Sequence, residues 1–134
     1  MKRSGIILIG LTVAGLNGCT SRPELCANRV AVAKPSPSGR HMAVLFQRDC
    51  GATTGPSTQI SIVDIGREPI GTGNVFVADD GHGAARPAKW GGPWAAISWA
   101  PGDRLLVRYD VKSRVIDRTE ARSGVAVGFE TVKR

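Results

Sequence analysis

Aromatic residues are scarce in this chain, with three Trp, three Phe and one Tyr among 134 residues. Nucleic-acid binders gather basic residues on one face beside stacking aromatics. Here the 18 Lys and Arg are scattered along the chain, often with an acid close by, so the formal charge of +7 argues for no nucleic-acid partner. Histidine is scarcer still, with only His41 and His82, and they stand at no recognisable ligand spacing. A serine nucleophile would need a Gly-x-Ser-x-Gly elbow, and none is present. Gly71-Thr72-Gly73 lacks the third glycine and the helix of a dinucleotide fingerprint. The hydroxyls of Thr53, Thr54, Ser57 and Thr58 lack the Lys-Ser/Thr element of a phosphate loop. The longest apolar run, Gly5 to Leu16 broken only by Thr12, covers twelve residues. A bilayer span takes about 20. The sequence therefore carries no catalytic signature and no membrane-spanning segment.

What is present begins with Lys2 and Arg3, then that apolar run, then small residues at a processing site: the plan of a secretory signal peptide. Leu16-Asn17-Gly18-Cys19 resembles the lipobox of bacterial lipoproteins. The resemblance implies that the Cys19 thiol takes a diacylglycerol and that residues 1–18 are removed. An ordinary secretion signal cut near Gly18 is the alternative. Neither Thr20 nor Ser21 is the aspartate that usually retains a lipoprotein in the inner membrane. In a Gram-negative envelope this implies the outer membrane, facing the periplasm. Residues 19–25 then form the lipidated cysteine and a short tether, and 26–134 a single β domain. Without its leader the chain is expected to carry +5, mostly as solvated surface charge.

With Cys19 lipidated, Cys26 and Cys50 remain as a pair in an oxidising compartment, which reads as one disulfide. The alternative is two free thiols. Residues 29–34 and 40–49 alternate as strands around Pro35-Ser36-Pro37-Ser38-Gly39. A three-residue loop with Gly39 left-handed places Ser36 opposite Arg40. Val32 then faces Val44, Val30 faces Phe46 and Cys26 faces Cys50, with the even-numbered residues on one face.

Further strands are expected over 57–64, 74–78, 95–100, 104–110, 111–117 and 124–132, with one helical turn allowed at 119–123. Seven or eight short strands favour an all-β fold, a small antiparallel sandwich or a partly open barrel. The turns at Ser36-Pro37-Ser38-Gly39-Arg40 and Ala100-Pro101-Gly102-Asp103-Arg104 echo each other. Both resemble the turn and strand of β-propeller blades, but two copies cannot close a propeller. Cys50-Gly51-Ala52-Thr53-Thr54, with Asn74-Val75-Phe76 and Leu105-Leu106-Val107-Arg108-Tyr109, resembles a family of small bacterial exported proteins of unknown function. That resemblance implies fold and location, and no chemistry.

Two stretches carry candidate sites. Asp79, Asp80 and His82 place two carboxylates and an imidazole within four residues. They suit a Zn²⁺ or Ca²⁺ site or an acid/base pair, and equally the side-chain-to-backbone bonding of an ordinary turn. Trp90 and Trp94 lie on or beside a Gly- and Pro-rich loop over 79–93, where aromatics bind sugars, peptides or proteins, or fold back as a lid. The working surface is expected where the two stretches meet. The favoured function is a membrane-anchored, non-catalytic binding or scaffold module that needs no cofactor, with an envelope protein or glycan as partner. A metal-binding protein or metal-dependent hydrolase is the first alternative, and an inhibitor or immunity-type protein the second.

Overall fold

A computed structural model describes residues 25–51 and 53–134. Cys19 and the lipobox lie outside the described residues. The elements are β1 (Ala27–Pro35), β2 (His41–Asp49), β3 (Ser57–Asp64), β4 (Phe76–Asp79), β5 (Ala95–Ala100), β6 (Arg104–Asp110), β7 (Arg114–Arg118), β8 (Ala121–Arg122) and β9 (Val125–Val132). Among the described residues there is no helix. The strands form a five-stranded sheet ordered β1-β2-β3-β4-β7 and a four-stranded sheet ordered β5-β6-β9-β8. All pairings are antiparallel except β6 with β9. The fold is all-β, with two sheets facing each other and no closed barrel.

The core between the sheets follows the two-residue period of the strands. Leu45, Ile60, Ile62, Phe76 and Ala78 from the first sheet meet Ile97, Leu105, Val107, Tyr109 and Val127 from the second. The Phe76 ring lies 5.1 Å from Tyr109 and 6.0 Å from Phe129, centroid to centroid. Each fully buried side chain of this size contributes about 1.5–3 kcal/mol.

β1 is an edge strand, and its register departs from expectation in two places that cancel. Ser36 N–H donates to the His41 carbonyl at 2.8 Å, so the turn holds four residues, 37–40, and Ser36 lies across from His41. The left-handed position at Gly39 stands, with φ of 73°. A bulge between Val30 and Val32 then absorbs the extra residue. Beyond it Val30 pairs with Phe46 and Ala27 with Asp49, the expected register. Cys26 therefore does meet Cys50, and the two are joined as a disulfide with Cα atoms 3.9 Å apart. The bulge also reverses the face parity of β1. Val32 pairs with Leu45 instead of Val44 and packs against the core, whereas Val30 is 48% exposed. The even-numbered residues do not share one face.

The outer face of the first sheet is covered as well, since Val44, Phe46, Gln59 and Ser61 are all buried away from the second sheet. The β3–β4 connection accounts for this. Asn28 Nδ2 donates to the Gly71 carbonyl at 2.8 Å, drawing that segment back across the sheet to β1. Asn74 acts as a surrogate strand, its side chain accepting from Ile62 N–H and donating to Ile62 O, both at 2.9 Å. Gly73 lies so close that a Cβ there would stand 2.8 Å from the Phe76 carbonyl and 2.9 Å from that of Ile60. The stretch over 119–123 holds no helical turn. It contains β8, which joins β9 through Ser123 and Gly124, both at positive φ, the pattern of a two-residue hairpin turn.

A candidate binding cavity beside Trp94

Trp90 and Trp94 come from the β4–β5 connection, and the structure gives them different roles. The expected loop is largely exposed, at 82–84, 86, 87, 89 and 91, but its end is fixed to the sheet: Pro87 and Pro93 form a bridge, Ala88 N–H donates to Gly92 O at 2.7 Å, and Ala85, Gly92 and Pro93 are buried. The reason lies in Thr58, a fully buried β3 residue. Its hydroxyl donates to the Pro93 carbonyl at 2.6 Å and accepts the Trp90 indole N–H at 2.9 Å. Glycine is required at 92, because a Cβ there would lie 2.9 Å from Ser57 C and Thr58 N. Trp90 packs against the core and is the lid of the fold.

Trp94 is half-buried and turns a face outward, where the Arg134 guanidinium sits 4.6 Å from the ring centroid. It borders a cavity of about 560 Å³ together with Arg86, Lys89, Trp90, Asp110 and Arg134. Small-molecule sites run to about 300–1,000 Å³. The topology places this cavity where β5 begins and where the parallel strands β6 and β9 both end. Asp110 closes β6, pairs with Val132 and gives its N–H to the Trp94 carbonyl at 3.1 Å. Its Oδ1 accepts the Lys112 amide at 2.9 Å. Asp110 is only 1% exposed.

Asp79, Asp80 and His82 border a separate, smaller pocket of about 210 Å³ with Thr53, Thr54, Gly55 and Arg114. The expected meeting of the two stretches does not occur, since the two cavities share no lining residue. Asp79 pairs across the strands with Arg114, whose Nε reaches Oδ1 at 3.0 Å and Oδ2 at 3.1 Å, with a further contact from Nη2 to Oδ2. Gly81 N–H donates to the same carboxylate at 2.9 Å. The Arg114 bond holds the Asp79 carboxyl below its ordinary range, and partial burial opposes this less strongly. His82 is exposed and sits with Gly81 and Gly83 in a run of three positive-φ residues, the shape of a tight turn. Among the described residues no group of three or more His, Cys, Asp or Glu is placed to hold a metal ion. Asp79, Asp80 and His82 are therefore not assembled as a ligand set, because Arg114 already occupies the first carboxylate.

Compared with protein-family models, curated proteins and solved structures, the chain matches none. The functional reading therefore rests on the sequence and on this geometry. Trp94 was visible in the sequence as an aromatic beside a glycine-rich loop. Asp110 lies across from it through the antiparallel β5–β6 hairpin, whereas Arg134 was not visible, since the parallel β6–β9 pairing is what brings it there.

Proposed function

We propose that this chain is a membrane-anchored envelope lipoprotein, lipidated on Cys19, that acts as a non-catalytic binding module through the cavity beside Trp94. The observation that carries the binding reading is the cavity itself. It combines an outward indole face with three cations and one buried carboxylate in a volume suited to a small ligand. The Cys26–Cys50 disulfide supports an oxidising compartment, and Leu16-Asn17-Gly18-Cys19 supports the anchor. In a Gram-negative envelope Thr20 and Ser21 imply the outer membrane, and the domain sits near its membrane on a tether of six residues, 20–25.

The anchor is tested by metabolic labelling with a radioactive fatty acid. Label on the wild type and none on Cys19→Ser is the expected result, and an unlabelled wild type overturns it. Binding is tested by crosslinking in intact envelopes, comparing the wild type with Trp94→Ala. Trp94 suits this experiment better than Trp90, whose indole is tied to buried Thr58. A partner captured by the wild type and lost from Trp94→Ala supports the module. Equal capture by both moves the interface elsewhere.

A further inference from the structure

Three features of the Trp94 cavity specify a ligand more narrowly than an aromatic loop would. The first is a surplus of positive charge. Arg86, Lys89 and Arg134 border the cavity, and none of them has an acidic partner among the described residues. The second is Asp110, a carboxylate lying almost wholly inside the protein yet forming part of the cavity wall. Its Oδ1 takes the Lys112 amide, and its Oδ2 has no hydrogen-bond partner among the described residues. A carboxylate oxygen accepts hydrogen bonds. A ligand meeting Oδ2 must therefore bring a donor, such as a hydroxyl. The third is the apolar wall formed by the Trp94 ring with Pro87 and Ala88. Such a wall suits a flat, weakly polar face, and an indole adds a rigid platform for it.

A single ligand that satisfies all three carries an anionic group, hydroxyl donors and a stackable ring face. We infer that the cavity binds an acidic saccharide, a sugar chain whose rings bear carboxylates. Arg86 and Lys89 take the carboxylate at the rim, where a guanidinium forms paired bonds to it. Asp110 takes a ring hydroxyl at the floor, and Trp94 packs against the C–H face of the ring. Arg134, already resting on the Trp94 ring, moves to the carboxylate as the sugar takes its place. A neutral sugar leaves the cations unanswered. An acidic peptide answers the cations and its backbone amides can donate to Asp110, but it offers Trp94 no C–H ring face to pack against. This inference rests on the binding-module reading and names its ligand class.

The test is calorimetric titration of the folded protein with trigalacturonate, neutral galactotriose and hexaglutamate at low and moderate salt. Trigalacturonate is expected to bind at least tenfold more tightly than either control, and to weaken as salt rises. Arg86→Gln with Lys89→Gln should lower that affinity about tenfold without shifting the melting temperature. Trp94→Ala serves as the second probe and should narrow the gap between trigalacturonate and hexaglutamate. Equal binding of galactotriose overturns the acidic requirement while leaving a saccharide module. Equal binding of hexaglutamate overturns the saccharide. Binding of none of the three overturns the inference, and envelope crosslinking with Trp94→Ala then still decides separately whether the chain is a binding module.

Discussion

Asp103 accepts the Ser38 amide at 3.0 Å and the Ser38 hydroxyl through its second oxygen. Ser38 lies in the β1–β2 turn of one sheet and Asp103 in the β5–β6 turn of the other, so one carboxylate ties the two layers together at this end. These are the two turns that echo each other in sequence. Their likeness is a shared solution to hairpin geometry, and the fold brings them into contact. The Ser38 bonds hold the Asp103 carboxyl below its ordinary range. A carboxyl depressed in the folded state stabilises above its unfolded value and loses that contribution as pH falls through its folded value. Asp103→Asn, which keeps a side chain suited to the positive φ of 51° here, should therefore lower the melting temperature at pH 7. The gap from wild type should close as pH drops well below about 4. Thermal melts across pH 2–7 check this, and a constant gap would contradict it.

The disulfide closes a loop with a sequence separation of 24. Chain-entropy arithmetic gives about 3.5 kcal/mol for a loop of that length. Cys26→Ser with Cys50→Ser should fold to the same sandwich with a lower urea midpoint. Far-UV circular dichroism reads the first outcome and equilibrium unfolding the second. An unchanged midpoint would show that β1 is held by its ladder alone.

Deleting Ala31 should be tolerated. Ala31 is the extra residue of the β1 bulge, so without it the pairs Val30–Phe46 and Val32–Leu45 become consecutive rungs of a regular ladder. Adjacent residues of a strand face opposite ways, so Val32 keeps its place against the core and Cys26 still meets Cys50. Thiol titration together with urea unfolding checks this. Free thiols in the deletion variant, or a large fall in its urea midpoint, would contradict it.

Thr58→Val is nearly isosteric but removes the hydroxyl that serves both Pro93 O and the Trp90 indole. Leaving such groups unpaired costs about 1–3 kcal/mol each. The expected outcome is a loss of that order in stability, with a red shift of tryptophan emission as Trp90 loosens. Wild-type emission in Thr58→Val would show that packing alone holds the loop.

The all-β class, the Cys26–Cys50 pairing and the positions of most strands were legible because each rests on local alternation and turn chemistry. The bulge was not. Ala-Val-Ala at 31–33 offers no change of polarity to mark where parity reverses, and the longer turn hides the shift by cancelling it. Most of the loop over 79–93 is exposed, as its glycines and prolines suggest, but its end is fixed by a partner on another strand, Thr58, which no local pattern reveals. The cavity was the least legible feature, for Trp94 and Asp110 meet through the antiparallel β5–β6 hairpin but Arg134 joins them only through the parallel β6–β9 pairing. The Asp79–His82 cluster read as a possible ligand set because Arg114, its cross-strand neighbour, lies far away in sequence.

Cys26 is the last residue before β1, and its bridge leads into the end of β2. β2 is bonded on both sides, to β1 and to β3, whereas β1 is bonded only to β2. Tension arriving from upstream would otherwise peel β1 off one bond at a time, starting at its free end. With the bridge in place the load bypasses that edge and enters an interior strand held by two ladders. The disulfide thus works as a strain relief, keeping any pull on the leading segment from unzipping the domain.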